Sequence, residues 1–347
     1  MIDRICAAGL VTVLGLFAGF PAVDRAQAQA VTLPPRPPAA AAKPAAPAPK
    51  PAGAAAPVAS PPHNGPEPDL AYGAYQRGYF LTAFAEATRR VDQKGDLRAM
   101  TLLGELYSNG LGVPLDEAKA AKWYRIAADR GDRDAMFALA IFNISGRAGL
   151  HDRAEAARLF AAAAKLGHAA AAYDLGLLYL EGQQFPPDAD RAAELFRIAA
   201  QQGNSEAQYA LATLYKEGKG VQKDPVEAAR LLAAAAVAEN PDAEVEYAIA
   251  LFNGTGVAKD ETRAAALFRK AAMRGSPIAQ NRLARLLTVG HGAPVNLIEA
   301  IKWHLIAKAG GNGDPYLDQF AAQQTPQIRA AAEKAARPWL ATLPPKS

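Results

Sequence analysis

Only one cysteine stands in the 347 residues, Cys6, inside the first apolar stretch. A processed chain would contain none, which excludes a disulfide framework, a Cys-based metal site and a thiol nucleophile. Charge of one sign is also missing. The 38 Lys+Arg against 34 Asp+Glu leave +4, and no polybasic run occurs, so nothing argues for a nucleic-acid track. Aromatic residues are modest at 7%. The five histidines are His63, His151, His168, His291 and His304, and none forms an H-E-x-x-H or other ligand spacing. Loop or surface roles are expected for them, and no metal site. What is abundant is Ala and Leu, a composition suited to close-packed helices.

The N-terminus reads as an export signal. Arg4 precedes an uncharged stretch from Ile5 to Phe20, and Ala26-Gln27-Ala28 offers a small-x-small cleavage site. Residues 1–30 are therefore expected to be removed. The uncharged run reaches Val23, however, close to the minimum for a membrane span, so an uncleaved inner-membrane tether stays open beside periplasmic or secreted release. Residues 31–69 are almost wholly Pro and Ala. Proline fixes φ and removes donors, so an extended spacer is expected, holding the next domain near a membrane or wall.

The body repeats. From Gly95, steps of 36 land on Gly131, Gly167, Gly203, Glu239, Gly275 and Gly311. Four positions on stand Ala99, Ala135, Ala171, Ala207, Ala243 and Ala279. Fifteen on, Gly110, Gly146, Gly182, Gly218, Gly254 and Gly290 recur without exception. A fixed period over about six copies predicts a stacked solenoid. Each copy divides into two helices. Asp96, Asp132, Asn204, Asn240 and Ser276 have the chemistry to cap a helix A of about fourteen residues, which the offset-15 glycine ends. Asp116, Asp152, Asp188, Asp224, Asp260 and Asn296 cap helix B, and Glu155, Glu227 and Glu299 complete capping boxes there. "AAKWYRIAADRGD", "AAELFRIAAQQGN" and "AAALFRKAAMRGS" close three of the B helices, large residues preceding small ones so that neighbours interdigitate. The predicted class is all-α, a right-handed α-solenoid of stacked antiparallel helix pairs over residues 70–310 with a C-terminal helical cap over 311–347.

The residues Ala99, Leu103, Gly104, Tyr107, Gly110, Gly112, Val113, Asp116, Ala120, Trp123, Tyr124, Ala127, Ala128 and Gly131 carry a resemblance. Their pattern is similar to Sel1-like repeats of the exported bacterial type, relatives of the tetratricopeptide repeat, over roughly residues 75–310. The resemblance implies an α-solenoid that binds other proteins, often in bacterial envelopes or signalling assemblies. A disulfide-pinned subset of that family is linked to β-lactam binding; this chain lacks those cysteines, so that link is not carried over. Copy two departs with Asn143 and the loop "GRAGLHD", copy three with "GQQFPPD", and copy five with Glu239 for glycine.

No catalytic pattern is present, and no cofactor is expected. The glycine loops lack the Lys-Ser/Thr of a phosphate cradle, and each recurring Asp sits where a helix needs a cap. The sequence is read as that of a non-enzyme. One stripe goes beyond tile maintenance. Offsets six, ten and thirteen of helix A, the expected concave face, are apolar in the middle copies: Phe137, Ile141, Ile144, Tyr173, Leu177, Leu180, Tyr209, Ile249 and Phe252. Thr101, Glu105 and Ser108 make one end polar, and Asn281, Arg285 and Thr288 the other. An apolar groove with polar ends suits an amphipathic helix or peptide of a protein partner. Two other readings stay open: curvature buries the stripe against neighbouring repeats, or its tyrosines hold cell-wall glycan. At the termini of the array, residues 72–91 read as one incomplete opening helix, and Trp339 with Leu340 as the buried anchors of the last.

Overall fold

The computed structural model describes residues 69–182 and 185–342. The expected export signal and the spacer up to residue 68 lie outside them. Among the described residues there is no strand. The chain forms α1 (Leu70–Gln76), α2 (Phe80–Lys94), α3 (Leu97–Asn109), α4 (Glu117–Asp129), α5 (Arg133–Ser145) and α6 (Arg153–Lys165). It continues with α7 (Ala169–Glu181), α8 (Ala189–Gln201), α9 (Ser205–Glu217), α10 (Pro225–Val237) and α11 (Pro241–Asn253). α12 (Glu261–Met273), α13 (Pro277–Val289), α14 (Leu297–Ala309), α15 (Pro315–Ala322) and α16 (Pro326–Leu340) complete it. From α3 to α14, each helix packs on the one before and the one after, so the array is an all-α solenoid. Odd-numbered members from α3 to α13 are the A helices, and α4 to α14 the B helices.

The 36-residue tile is built by residues that serve two helices at once. Asp132 donates its N–H to Ala127 O at 3.0 Å, closing α4, while its carboxylate accepts from Ala135 N at 2.7 Å, opening α5. Asn204, Asn240 and Ser276 do the same at later junctions. This is why each turn is written as glycine followed by a cap: the glycine takes the left-handed conformation and the cap closes one helix while starting the next. His168 fills the slot left unassigned by the sequence, accepting from Ala171 N through Nδ1 at 3.1 Å. Glu239 adopts φ 63° where its counterparts are glycine.

The expected capping boxes do not form. Glu155 and Glu227 turn outward to Arg158 and Arg230, and Glu299 to Arg269 and Trp303. For Glu227 and Glu299 the reason is that the cap of their helix has another acceptor for its own N–H. Asp224 donates to Tyr215 O and Asn296 to Leu287 O, both at 3.0 Å, so helix A satisfies the amide that a box would. The freed glutamates instead link tiles. Arg125 on α4 donates to Glu155 on α6 at 2.7 Å, and Arg269 on α12 pairs with Glu299 on α14. Arg197 and Glu227 hold the same places on α8 and α10, and the Arg230 hydrogen bond, with a lesser contribution from the Arg197 charge, keeps Glu227 below the usual carboxylate range. Odd copies supply Arg and even copies Glu, which explains why the quoted helix-B sequences return most closely at every second tile.

Both ends correct the sequence reading. The opening segment is two helices, broken where Gly78 takes φ 78°, and α2 occupies the helix-B place of a preceding tile. At the far end Leu340 is 36% exposed and not an anchor. α16 instead buries Ala332 and Ala336 and sets Trp339, half-buried, edge-on to Trp303 with centroids 5.2 Å apart. The short alanine side chains let α16 lie close on α14.

Candidate functional site

The A helices carry the stripe singled out by the sequence. Its members fall into two depths. Phe137 and Leu177 are buried, Leu177 at 5% exposure. Ile141, Ile144, Tyr173, Leu180, Tyr209, Ile249 and Phe252 are half-buried. The offset-six aromatics have a packing role beside any other. Phe137 lies 5.8 Å from the Phe160 ring, and Tyr173 lies 5.5 Å from Phe196, each meeting the aromatic of its own B helix. Phe137 also stacks on the capping His168 at 4.3 Å. The half-buried members, Tyr173 and Tyr209 included, therefore form the more accessible part of the stripe.

Small residues beneath the stripe let the two helices of a tile approach. A Cβ on Gly176 would stand 2.6 Å from the Phe196 ring, and one on Gly104 would stand 2.5 Å from Tyr124. The loops lock tile to tile in a similar way. Gly220, Gly256 and Gly292 lie directly on the backbone that starts the preceding B helix, with φ near 67° to 69°. Copy two replaces this glycine with Ala148 at φ 55°, and anchors its loop through Glu117 instead. Arg147 donates to Glu117 at 2.7 Å and to Ser108 O at 2.7 Å, its guanidinium lying over Phe142.

The carboxylates at the two ends of the stripe are both hydrogen-bonded, one by neutral donors and one by a cation. Glu105 accepts from Tyr75, Tyr124 and Asn109. Asp314, the cap of α15, accepts from Arg285 Nε and Nη2 and from Asn281 Nδ2, and these donors hold it below the usual carboxylate range. A shallow cleft of about 340 Å³ opens here, with Ile278, Arg282 and Asn312 on its walls. The middle differs. Asp174 on α7 is 8% exposed, and the charge acting on it among the described residues is Glu206 on α9, a like charge. Burial, reinforced by Glu206, pushes the Asp174 carboxyl up to about 7.

Among the described residues no group of three or more His, Cys, Asp or Glu is arranged to hold a metal ion. His304 departs from the surface role expected of it: it is buried at 1% exposure, with Nε2 2.8 Å from Asp318. It ties α14 to the C-terminal cap. His291 pairs with Glu261 at 3.0 Å across adjoining tiles.

These tiles have close counterparts among known proteins. The Sel1 repeat pattern matches residues 97–132, 133–168, 169–204, 205–236, 241–276 and 277–312. The fourth match stops short of Glu239, where the register glycine is lost. Two solved structures are similar. The first is c5321, a protective antigen of uropathogenic Escherichia coli strains displaying an SLR fold, with 27% identity and TM-score 0.67. The alignment takes in 77% of this chain and 61% of that protein, so this chain spans less than two thirds of its length. The second is a Sel1 repeat protein from Oxalobacter formigenes, with 26% identity and TM-score 0.59 over 68% of this chain and 94% of that one. No curated protein matches significantly. With six matched tiles, recurring caps and the same stacked fold, the chain belongs to the Sel1 repeat family.

Proposed function

We propose that this chain is a non-catalytic scaffold or regulator of the cell envelope that holds a peptide or helix of a partner protein along the A-helix groove. Sel1 and tetratricopeptide-like repeats mediate protein–protein interaction, and the family is generally non-catalytic. The observation that carries the groove reading is the run of half-buried apolar side chains Ile141, Ile144 and Leu180, resumed at Ile249 and Phe252, between polar ends whose carboxylates are already hydrogen-bonded. A stripe of that kind gains by covering apolar surface and offers few groups that would lose a partner on binding. The envelope location rests on the export signal and spacer read from the sequence. Photo-crosslinking in cells from Leu180, with exposed Lys119 on a B helix as control, tests the groove assignment.

A second reading, binding to cell-wall glycan, draws on Tyr173 and Tyr209, half-buried aromatics on successive A helices. It requires that the full chain sediment with purified wall material and that Tyr173→Ala with Tyr209→Ala abolish the effect. Sedimentation unchanged by both substitutions removes it.

A further inference from the structure

Three carboxylates are buried among the described residues: Asp174, Glu244 and Asp314. Two are matched by cations. Glu244, fully buried, meets Lys270 at 2.6 Å and Arg274 at 3.3 Å, and Asp314 meets Arg285. Among the described residues Asp174 has neither an ion pair nor a hydrogen bond, and the charge that acts on it is the carboxylate of Glu206. An isolated carboxylate taken out of water is costly, and a like charge beside it adds to that cost. The tile has no need of acid here, since the same position holds Leu102 in copy one and Ala138 in copy two.

Asp174 follows Tyr173 in the stripe and precedes Leu177 by three positions, so it lies on the helical row bordering the groove. Glu206 precedes Tyr209 in the same way on α9. Asp242 takes the Glu206 position on α11 and is raised by burial and by Glu246. Glu246 is the member of this row that has a cation, Lys216, at 2.6 Å. Two tyrosine rings thus flank acidic groups that the protein leaves without a positive partner.

Building on the groove reading above, we infer that the partner segment carries a Lys or Arg side chain that seats between Asp174 and Glu206, flanked by Tyr173 and Tyr209. The cation supplies the missing countercharge, and aromatic faces beside a carboxylate pair favour a Lys or Arg head group. Without an occupant, burial keeps Asp174 close to neutral; a bound cation is what stabilises its ionised form. Apolar neighbours of that basic residue cover Ile141 and Leu180 on either side.

A random dodecapeptide library displayed on phage, selected on the full chain, supplies the probe. Selected peptides are expected to share a single Lys or Arg among apolar residues. Such a peptide is expected to bind the Asp174→Asn protein about tenfold more weakly, the loss of one charge-assisted contact, and Glu206→Gln is expected to weaken it in the same direction. Its analogue with norleucine for the basic residue is expected to bind wild type and Asp174→Asn alike. Thermal melts of both variants establish that they are folded, since each change preserves side-chain shape. Groove-binding peptides without basic enrichment, or affinity unchanged by Asp174→Asn, overturn the cationic anchor and leave the groove reading standing. Peptides that bind undiminished to a folded Leu180→Asp variant lie outside the groove and overturn both, as does a selection that returns no binder.

Discussion

Gly256 rests on the first peptide of α10: a Cβ built there would lie 1.8 Å from the carbonyl oxygen of Pro225. Gly275, in contrast, has nothing within 4 Å of such a Cβ, although its φ of 94° is also positive. The two glycines separate backbone strain from collision. Gly275→Ala is expected to cost about 1 kcal/mol, the penalty of a left-handed residue with a side chain. Gly256→Ala adds a clash with backbone that cannot turn aside, and is expected to cost about 3 kcal/mol or more. Urea unfolding of both variants measures the difference, and equal costs would contradict the contact.

Ala148 and Glu239 occupy glycine-type conformations, at φ 55° and 63°. Ala148→Gly and Glu239→Gly are therefore each expected to stabilise by about 0.5–1 kcal/mol, strain relief being partly offset by greater unfolded-chain entropy. The exposed Arg274–Glu239 pair lost in the second change is worth little. A rise in urea midpoint for both is the expected result.

Ala163 is fully buried where α6 packs on its neighbours. Ala163→Asp places an unpaired charge there and is expected to cost about 3 kcal/mol or more. Because each tile draws stability from its neighbours, the damage should reach adjoining copies. Amide exchange quickening in α5 and α7 as well as α6 is the pattern to look for.

Asp174 makes stability fall as pH rises. Its folded-state carboxyl titrates near 7, above the ordinary value of 3.8, so between those values the folded chain binds more proton than the unfolded one. The contribution is fully favourable below the unfolded value and is lost by about pH 7, an effect of roughly 3–4 kcal/mol at this buried site. Asp174→Asn is expected to match wild type in melting temperature near pH 4 and to exceed it by several degrees near pH 8. A constant difference across that range would contradict the burial of this carboxylate.

The period, the caps and the helix limits were legible because they depend on residues close together in sequence. Asp132 and Gly110 announce their roles within one turn. Contacts between tiles were not legible in that way. Nothing local indicates that Glu155 serves Arg125 rather than its own helix cap, or that Tyr173 meets Phe196. The second glycine of the "GTGV" loop needs its identity for a backbone more than thirty residues earlier. His168 gives no local sign of its capping role because imidazole is an uncommon cap, and Leu340 reads as buried because hydropathy alone does not say which face of α16 meets α14. The apolar stripe was visible from its spacing, whereas the missing countercharge of Asp174 emerged only once neighbouring helices were in place.

The most direct test of the groove is photo-crosslinking in intact cells from Leu180, which is half-buried, rather than from Leu177, which is 5% exposed. A discrete protein adduct from 180 and none from 119 is the expected result, and its mapped peptide should lie along the stripe. Adducts from 119 alone, or none from 180 in a folded, expressed protein, would contradict a partner held in the groove.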